Sequence, residues 1–239
     1  MLNDVKNLKI KLFADGADLA TMIELSKKPF IKGLTTNPTL MRKAGIQDYK
    51  KFAKDVLAEI REKPISFEVF SDNLDEMIEQ AIKISSWGSN VNVKIPITNS
   101  QGIETTQAIK ELSSRGISLN ITAILTTEQV EKVVNVLDMD SPAFISVFAG
   151  RIADTGRDPI PVMKDALKIM KYKPKSELIW ASPRELLNVI QANEIGCHII
   201  TSTSDILKKL DTIGKDLSEY SLETVKMFRD DAVASGYII

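Results

Sequence analysis

One lysine stands inside an otherwise apolar run, VNVKIPIT at positions 91–98. Val91, Val93, Ile95 and Ile97 are the β-branched residues of a buried strand, and an ammonium ion at Lys94 would lose its hydration there at high cost. Two readings follow. A lysine at a strand end can extend its methylene stem and keep its charge in water. Alternatively, desolvation disfavours the ammonium form and leaves an amine that captures a ketone as an imine. An imine is an electron sink, which permits cleavage of a neighbouring carbon–carbon bond without a metal. Such chemistry needs one group to exchange a proton with a substrate hydroxyl and another to handle water entering and leaving. Asp15, at the end of LKIKLFAD, and Glu68, within ISFEVF, supply two carboxylates from separate runs, so their surroundings can tune them separately. Each alone is equally readable as a polar strand cap.

Other polar residues gather at comparable places. LTTNPTL (34–40) contains Thr36 and Asn37, and Asn37 followed by Pro38 is also a helix start, an N-cap with proline at the first helical position. Asn120 and Thr122 alternate by two, so they share one face of their strand. Against a layer of helices they would be two uncompensated polar groups, so facing the mouth of a barrel is cheaper. Ser146 and Ser182 fall late in two further runs, with Arg151 and Arg184 just beyond them. Guanidinium forks match phosphate, and a hydroxyl or helix start adds donors; arginines on surface loops are the competing reading. Cys197 and His198 are adjacent, point to opposite faces of a strand and cannot share a metal. No metal site is predicted.

The elements that must position these residues alternate regularly. Short β-rich runs occur at 8–15, 30–37, 65–70, 91–97, 117–124, 143–149, 177–182 and 197–202. Between them lie amphipathic stretches such as LDEMIEQAIKISSWG, TTQAIKELSSRG and EQVEKVVNVLDM, with apolar residues every three or four positions. Gly88, Gly116 and Gly196 are expected as C-caps. Eight such units predict an α/β fold of the (β/α)8 TIM-barrel type, with polar strand ends converging on one face. A doubly wound open sheet is the rival, and the first strand lacks the glycine-rich turn that such sheets use for dinucleotides. The expected organisation is a single barrel domain over 1–239, with 215–239 as a C-terminal helical extension. Leu222, Val225, Met227 and Phe228 give that extension an apolar stripe that needs cover from its own barrel or from a neighbouring subunit.

Composition narrows the field. The chain has 239 residues, 44% of them hydrophobic, enough for a substantial core. Lys plus Arg is 31 and Asp plus Glu 32, a net charge of -1, so no global positive field recruits nucleic acid or an anionic membrane. The N-terminal stretch lacks the apolar run of a secretory signal, and no segment offers the ~18 apolar residues of a membrane helix. A cytoplasmic protein is expected. With one cysteine and one histidine, acid–base chemistry falls to carboxylates, lysine and hydroxyls.

The order KLFADGAD, TTNPTL, SFEVFSDN, NVKIP, ISLNIT, FISVFAGRI, ASPRE, GCHIIT resembles the transaldolase family, in particular its short single-barrel members, over about 190 residues. The resemblance implies Lys94 as the Schiff-base lysine and Asp15 as the acid–base group for the donor C4 hydroxyl. It implies Glu68 and Thr122 as holders of the catalytic water. Asn37, Asn120 and Ser146, with Thr36 nearby, would bind the dihydroxyacetone unit, and Arg151, Ser182 and Arg184 the sugar phosphate. The implied activity is transfer of a dihydroxyacetone unit from fructose 6-phosphate or sedoheptulose 7-phosphate to an aldose phosphate, in the pentose phosphate pathway, with no cofactor and as a homo-oligomer. Glutamate at position 68 and serine at 146 resemble the transferases rather than the fructose-6-phosphate aldolases. That simple aldolase, or a non-catalytic barrel that binds sugar phosphate, are the alternatives. The chain departs from the family pattern at Gly16, where threonine is usual and whose flexibility is expected to loosen Asp15, and at Ala153, where many short members have Asp.

Overall fold

The computed structural model describes residues 5–239. Eight strands, β1 (Lys11–Asp15), β2 (Ile31–Thr35), β3 (Ile65–Glu68), β4 (Val91–Pro96), β5 (Leu119–Ile124), β6 (Ala143–Val147), β7 (Ser176–Trp180) and β8 (Ile199–Thr203), pair in parallel and in sequence order. β8 returns to β1 and closes the barrel. Around it run α1 (Leu19–Ser26), α2 (Pro38–Lys43), α3 (Tyr49–Glu59), α4 (Leu74–Ser85), α5 (Thr106–Ser114), α6 (Thr127–Val136), α7 (Ala149–Ala153), α8 (Ile160–Met170), α9 (Leu187–Glu194) and α10 (Ser204–Leu207), and α11 (Leu217–Ala234) follows the last of them. The expected (β/α)8 architecture is present. β1 starts later than its apolar run, because Asn193 Oδ1 takes the amides of Lys9 and Ile10 at 2.7 and 3.2 Å. Those donors, satisfied by a side chain, do not join the ladder.

Local chemistry accounts for the helix ends. Asn73 caps α4 by accepting from the amides of Asp75 and Glu76, and Met77, Ala81 and Ile84 then form its buried stripe. Thr126 and Gln129 close a reciprocal capping box on α6. Gly116 and Gly196 take φ of 74° and 76°, as glycine C-caps do. Gly88 does not serve that purpose. α4 already ends at Ser86, and Gly88 lies in the turn toward β4, where a Cβ would meet Asn90 Oδ1 at 3.0 Å.

Two cores result. The larger lies outside the strands, where Leu12, Ile31, Leu34, Ile65, Phe67, Val93, Ile95, Ile121, Ile145 and Trp180 meet the inner faces of the helices. The smaller lies inside the barrel and comprises Phe13, Ile179, Ala181 and Ile199, with Phe144 and Phe148 against them. Alternation along the strands stacks the interior in layers of four, drawn in turn from even and odd strands. Gly33, Asn92, Phe144 and Ile199 form the lowest, then Phe13, Ser66, Asn120 and Ile179. Thr35, Lys94, Ser146 and Thr201 come next, and Asp15, Glu68, Thr122 and Ala181 lie above. The Phe13 ring fills the place of a Gly33 side chain, reaching within 2.4 Å of where its Cβ would stand. The upper two layers are almost wholly polar.

α11 buries none of its residues. Leu222, Val225, Met227 and Phe228 are 52–63% exposed, so the stripe expected to need cover finds none on its own barrel. No helix among the described residues is long and apolar enough to cross a membrane.

Candidate active site

Lys94 is held inside the barrel mouth and is only 6% exposed. Its ammonium nitrogen donates to the carbonyl of Thr36 at 3.1 Å and lies 3.3 Å from Glu68 Oε2. The pairing follows from register, since Glu68 of β3 stands opposite Lys94 of β4. A buried amine with a carboxylate this close has a direct acceptor for the proton it must shed before attacking a carbonyl. The end of β3 is itself tied down. Tyr49 of α3 donates to the carbonyl of Glu68 at 2.8 Å, amid edge-on contacts with Phe67, Phe70 and Trp87. Burial pushes the Tyr49 phenol well above its usual value, so it remains a donor.

Asp15 rises from β1 into the same space. Burial pushes its carboxyl above the ordinary 3.8, against the opposing pull of Lys94 and of the hydrogen bond from Thr35. Thr35 Oγ1 donates to Asp15 Oδ1 at 2.8 Å and lies 2.5 Å from Thr201 Oγ1. The expected loosening at Gly16 is countered here: its amide donates to the Thr35 carbonyl at 3.0 Å, fixing the strand end from the other side.

Beneath Lys94 runs a buried polar chain. Ser146 Oγ donates to Asn120 Oδ1 at 2.7 Å, and Asn120 Nδ2 donates to Ser66 Oγ at 2.9 Å. With its proton committed downward, Ser146 presents lone pairs to the cavity. Thr122 Oγ1 is buried without a protein partner, a hydroxyl free to hold a water or a substrate group. Asn37 caps α2 through Oδ1, which accepts from the amide of Leu40 at 3.0 Å, leaving its amide hydrogens for the cavity.

The far wall is cationic. Arg151, on α7, lies 5.6 Å over the Phe148 ring. Arg184, past β7, donates to Asp154 through Nε at 3.0 Å and Nη2 at 2.5 Å, leaving its Nη1 edge free. These two arginines hold the Asp154 carboxyl below its ordinary value, the Arg184 hydrogen bonds foremost. Close approach brings the two loops together: an added Cβ on Gly150 would stand 1.5 Å from the carbonyl oxygen of Ser182, whose φ is 57°.

Asp15, Asn37, Glu68, Lys94, Thr122, Ser146, Arg151, Ser182 and Arg184 thus line one cavity of about 550 Å³. Thr36 and Asn120 do not. Thr36 is one step out of phase with Thr35, so its buried hydroxyl leaves the interior and only its carbonyl reaches Lys94. Asn120 sits one layer down and acts on the cavity through Ser146. Sequence reasoning passed over Thr201 and Thr203, which line the cavity, and over Ser66 and Tyr49. The period-two argument applied to Asn120 and Thr122 does not pick out the two threonines, because Ser202 and Ser204 alternate with them.

Comparison with known proteins shows the family. Residues 12–236 match the family model described as Transaldolase/Fructose-6-phosphate aldolase. A probable transaldolase of Dehalococcoides mccartyi is 34% identical over 202 residues, 84% of this chain and 90% of that protein. One from Streptococcus agalactiae is 34% identical over 216 residues, covering 90% and 95%. Among solved structures, an aldolase designated QR15 superposes with a TM-score of 0.55 at 15% identity, over 87% of this chain and 98% of its own. A putative dihydrodipicolinate synthase family protein from Coccidioides immitis gives 0.61 at 10% identity, covering 97% and 80%. Likeness at such low identity speaks to the barrel alone, whereas the sequence match runs almost the length of the molecule: this chain belongs to the transaldolase/fructose-6-phosphate aldolase family.

Proposed function

We propose that the protein is a transaldolase, moving a dihydroxyacetone unit from a ketose phosphate such as fructose 6-phosphate or sedoheptulose 7-phosphate to an aldose phosphate through an imine on Lys94. The observation that carries this reading is the buried Lys94 amine in contact with Glu68 and in one cavity with Asp15. Glu68 takes the ammonium proton, the amine attacks the ketone at C2, and water leaves as the iminium forms. Glu68 and Thr122 hold that water. Asp15 then accepts the C4 hydroxyl proton, the C3–C4 electron pair moves onto the iminium, and an aldose phosphate departs. The retained enamine attacks the aldehyde carbon of a second aldose phosphate. Asp15 returns its proton to the new hydroxyl, and water releases the product. Asn37 and Ser146, supported by Asn120, bind the three-carbon unit, while Arg151, Ser182 and Arg184 grip phosphate by charge-assisted hydrogen bonds. The uncovered stripe on α11 supports a homo-oligomer.

Borohydride added with fructose 6-phosphate is expected to fix a three-carbon adduct on Lys94, located by mass spectrometry. An unmodified Lys94 refutes the imine. Turnover with and without erythrose 4-phosphate then separates transfer from simple cleavage, since an aldolase releases free dihydroxyacetone without an acceptor.

A further inference from the structure

We propose that Thr201 is a positioning residue for Asp15, acting through Thr35 to orient the carboxylate and favour its ionised form. The proton count fixes the direction. Thr35 Oγ1 lies 2.8 Å from Asp15 Oδ1 and 2.5 Å from Thr201 Oγ1. A hydroxyl has one proton, and an ionised carboxylate only accepts. Thr35 therefore gives its proton to Asp15, and the short contact on its other side takes its proton from Thr201. The chain runs Thr201 to Thr35 to Asp15, each donation polarising the next. When Asp15 takes up a proton, the chain reverses, with Asp15 donating to Thr35 and Thr35 to Thr201.

The fold leaves little alternative. β8 and β2 flank β1, and both threonines occupy the layer directly below Asp15. They are 2% and 6% exposed. Beneath them lies the Phe13 ring, seated over Gly33, which offers no competing acceptor. The ionisable groups that share the cavity with Asp15 are Lys94 from β4, Glu68 from β3, Lys43 from α2, Arg151 from α7 and Arg184 beyond β7. β8 adds only the hydroxyls of Thr201 and Thr203. Thr201 is thus a neutral means of holding a catalytic carboxylate ionised in a buried place.

The importance of Asp15 rests on the proposed reaction, but the coupling can be read without it. In full-length protein labelled with [γ-13C]aspartate, the Asp15 resonance is identified by its loss in Asp15→Asn and followed against pH. Thr201→Val keeps shape and removes the hydroxyl; it is expected to raise the Asp15 midpoint by about half to one pH unit, the worth of one hydrogen bond. Thr201→Ser is expected to restore the native midpoint, and Thr201→Ala serves if the valine variant does not fold. A lower melting temperature with an unmoved Asp15 midpoint would mean that Thr201 only packs, and overturns the proposal. In turnover, the acid limb of kcat for donor cleavage moves up with the midpoint, while the borohydride-trapped adduct keeps its yield. A native chain that traps no adduct refutes the imine reading and leaves the titration to judge Thr201.

Discussion

Gly150→Ala tests whether the cationic wall depends on a close approach of two loops. The new methyl would begin 1.5 Å from the Ser182 oxygen and 2.6 Å from its carbonyl carbon, and ordinary contact starts at 3.4 Å. The obstruction is backbone, so α7 and the loop after β7 must part by about 2 Å, an overpacking that costs ~1–3 kcal/mol of stability. For a chain this long, that lowers the melting temperature by about 2–4 °C for each kcal/mol. The larger effect is on binding. Arg151 adjoins Gly150 and Arg184 follows Ser182 by two residues, so the two guanidinium groups separate with the loops. A hydrogen bond does not survive a displacement of that size. Losing one charge-assisted contact to phosphate costs ~1.5–3 kcal/mol, or about 10- to 150-fold in KM. The assay compares kcat/KM for fructose 6-phosphate and unphosphorylated fructose in native and variant protein, with a melting curve to establish folding. The phosphorylated donor is expected to lose its advantage while the unphosphorylated one is little changed. A folded Gly150→Ala variant with full preference for the phosphorylated sugar would refute the reasoning.

Other expectations are briefer. Asp15→Asn should abolish cleavage yet stabilise the fold at neutral pH, because the native carboxyl, its pKa raised by burial, pays to ionise on folding. The advantage is absent below the ordinary 3.8, grows as pH rises toward the folded pKa and is complete above it; melting temperatures of the two proteins across pH measure it, and a constant difference would contradict the shift. Tyr49→Phe keeps the ring contacts and removes the bond to the Glu68 carbonyl, lowering the urea unfolding free energy by about 1–3 kcal/mol and slowing adduct formation at Lys94. Cys197, whose thiol burial pushes up to about 12, should resist iodoacetamide at pH 8 in the folded protein and react once urea unfolds it. Phe228→Glu, on the uncovered stripe of α11, should lower the mass found by light scattering without moving the circular dichroism spectrum.

Much of this architecture was legible because the barrel repeats one rule. An apolar run with a polar residue near its end gave each strand, and parity within the run gave the face. Lys94 was visible because its neighbours are β-branched on both sides, and Glu68 and Asn120 because the same parity applied. Thr201 was hidden by its context: in the run TSTS every residue is a small hydroxyl, so alternation carries no contrast. Thr36 was misjudged for the same reason, since TT offers no parity and only the ladder chose Thr35 for the interior. Tyr49 reaches the site from a helix 19 residues before Glu68, a contact that no local pattern encodes. Gly88 looked like a cap because it ended an amphipathic stretch, but SSW lets the helix stop two residues early. The cover for α11 could not be read either, since an apolar stripe states a need and not its partner.

The separation of the two cores has an evolutionary consequence. Most of the large aliphatic side chains that hold the protein together lie between strands and helices, while the reacting groups occupy a different compartment with its own small, apolar plug at the base. A change among the inner hydroxyls, amides and carboxylates can therefore redirect bond chemistry while leaving the scaffold's cohesion nearly intact. Such a molecule is free to drift between related activities without first having to become unstable.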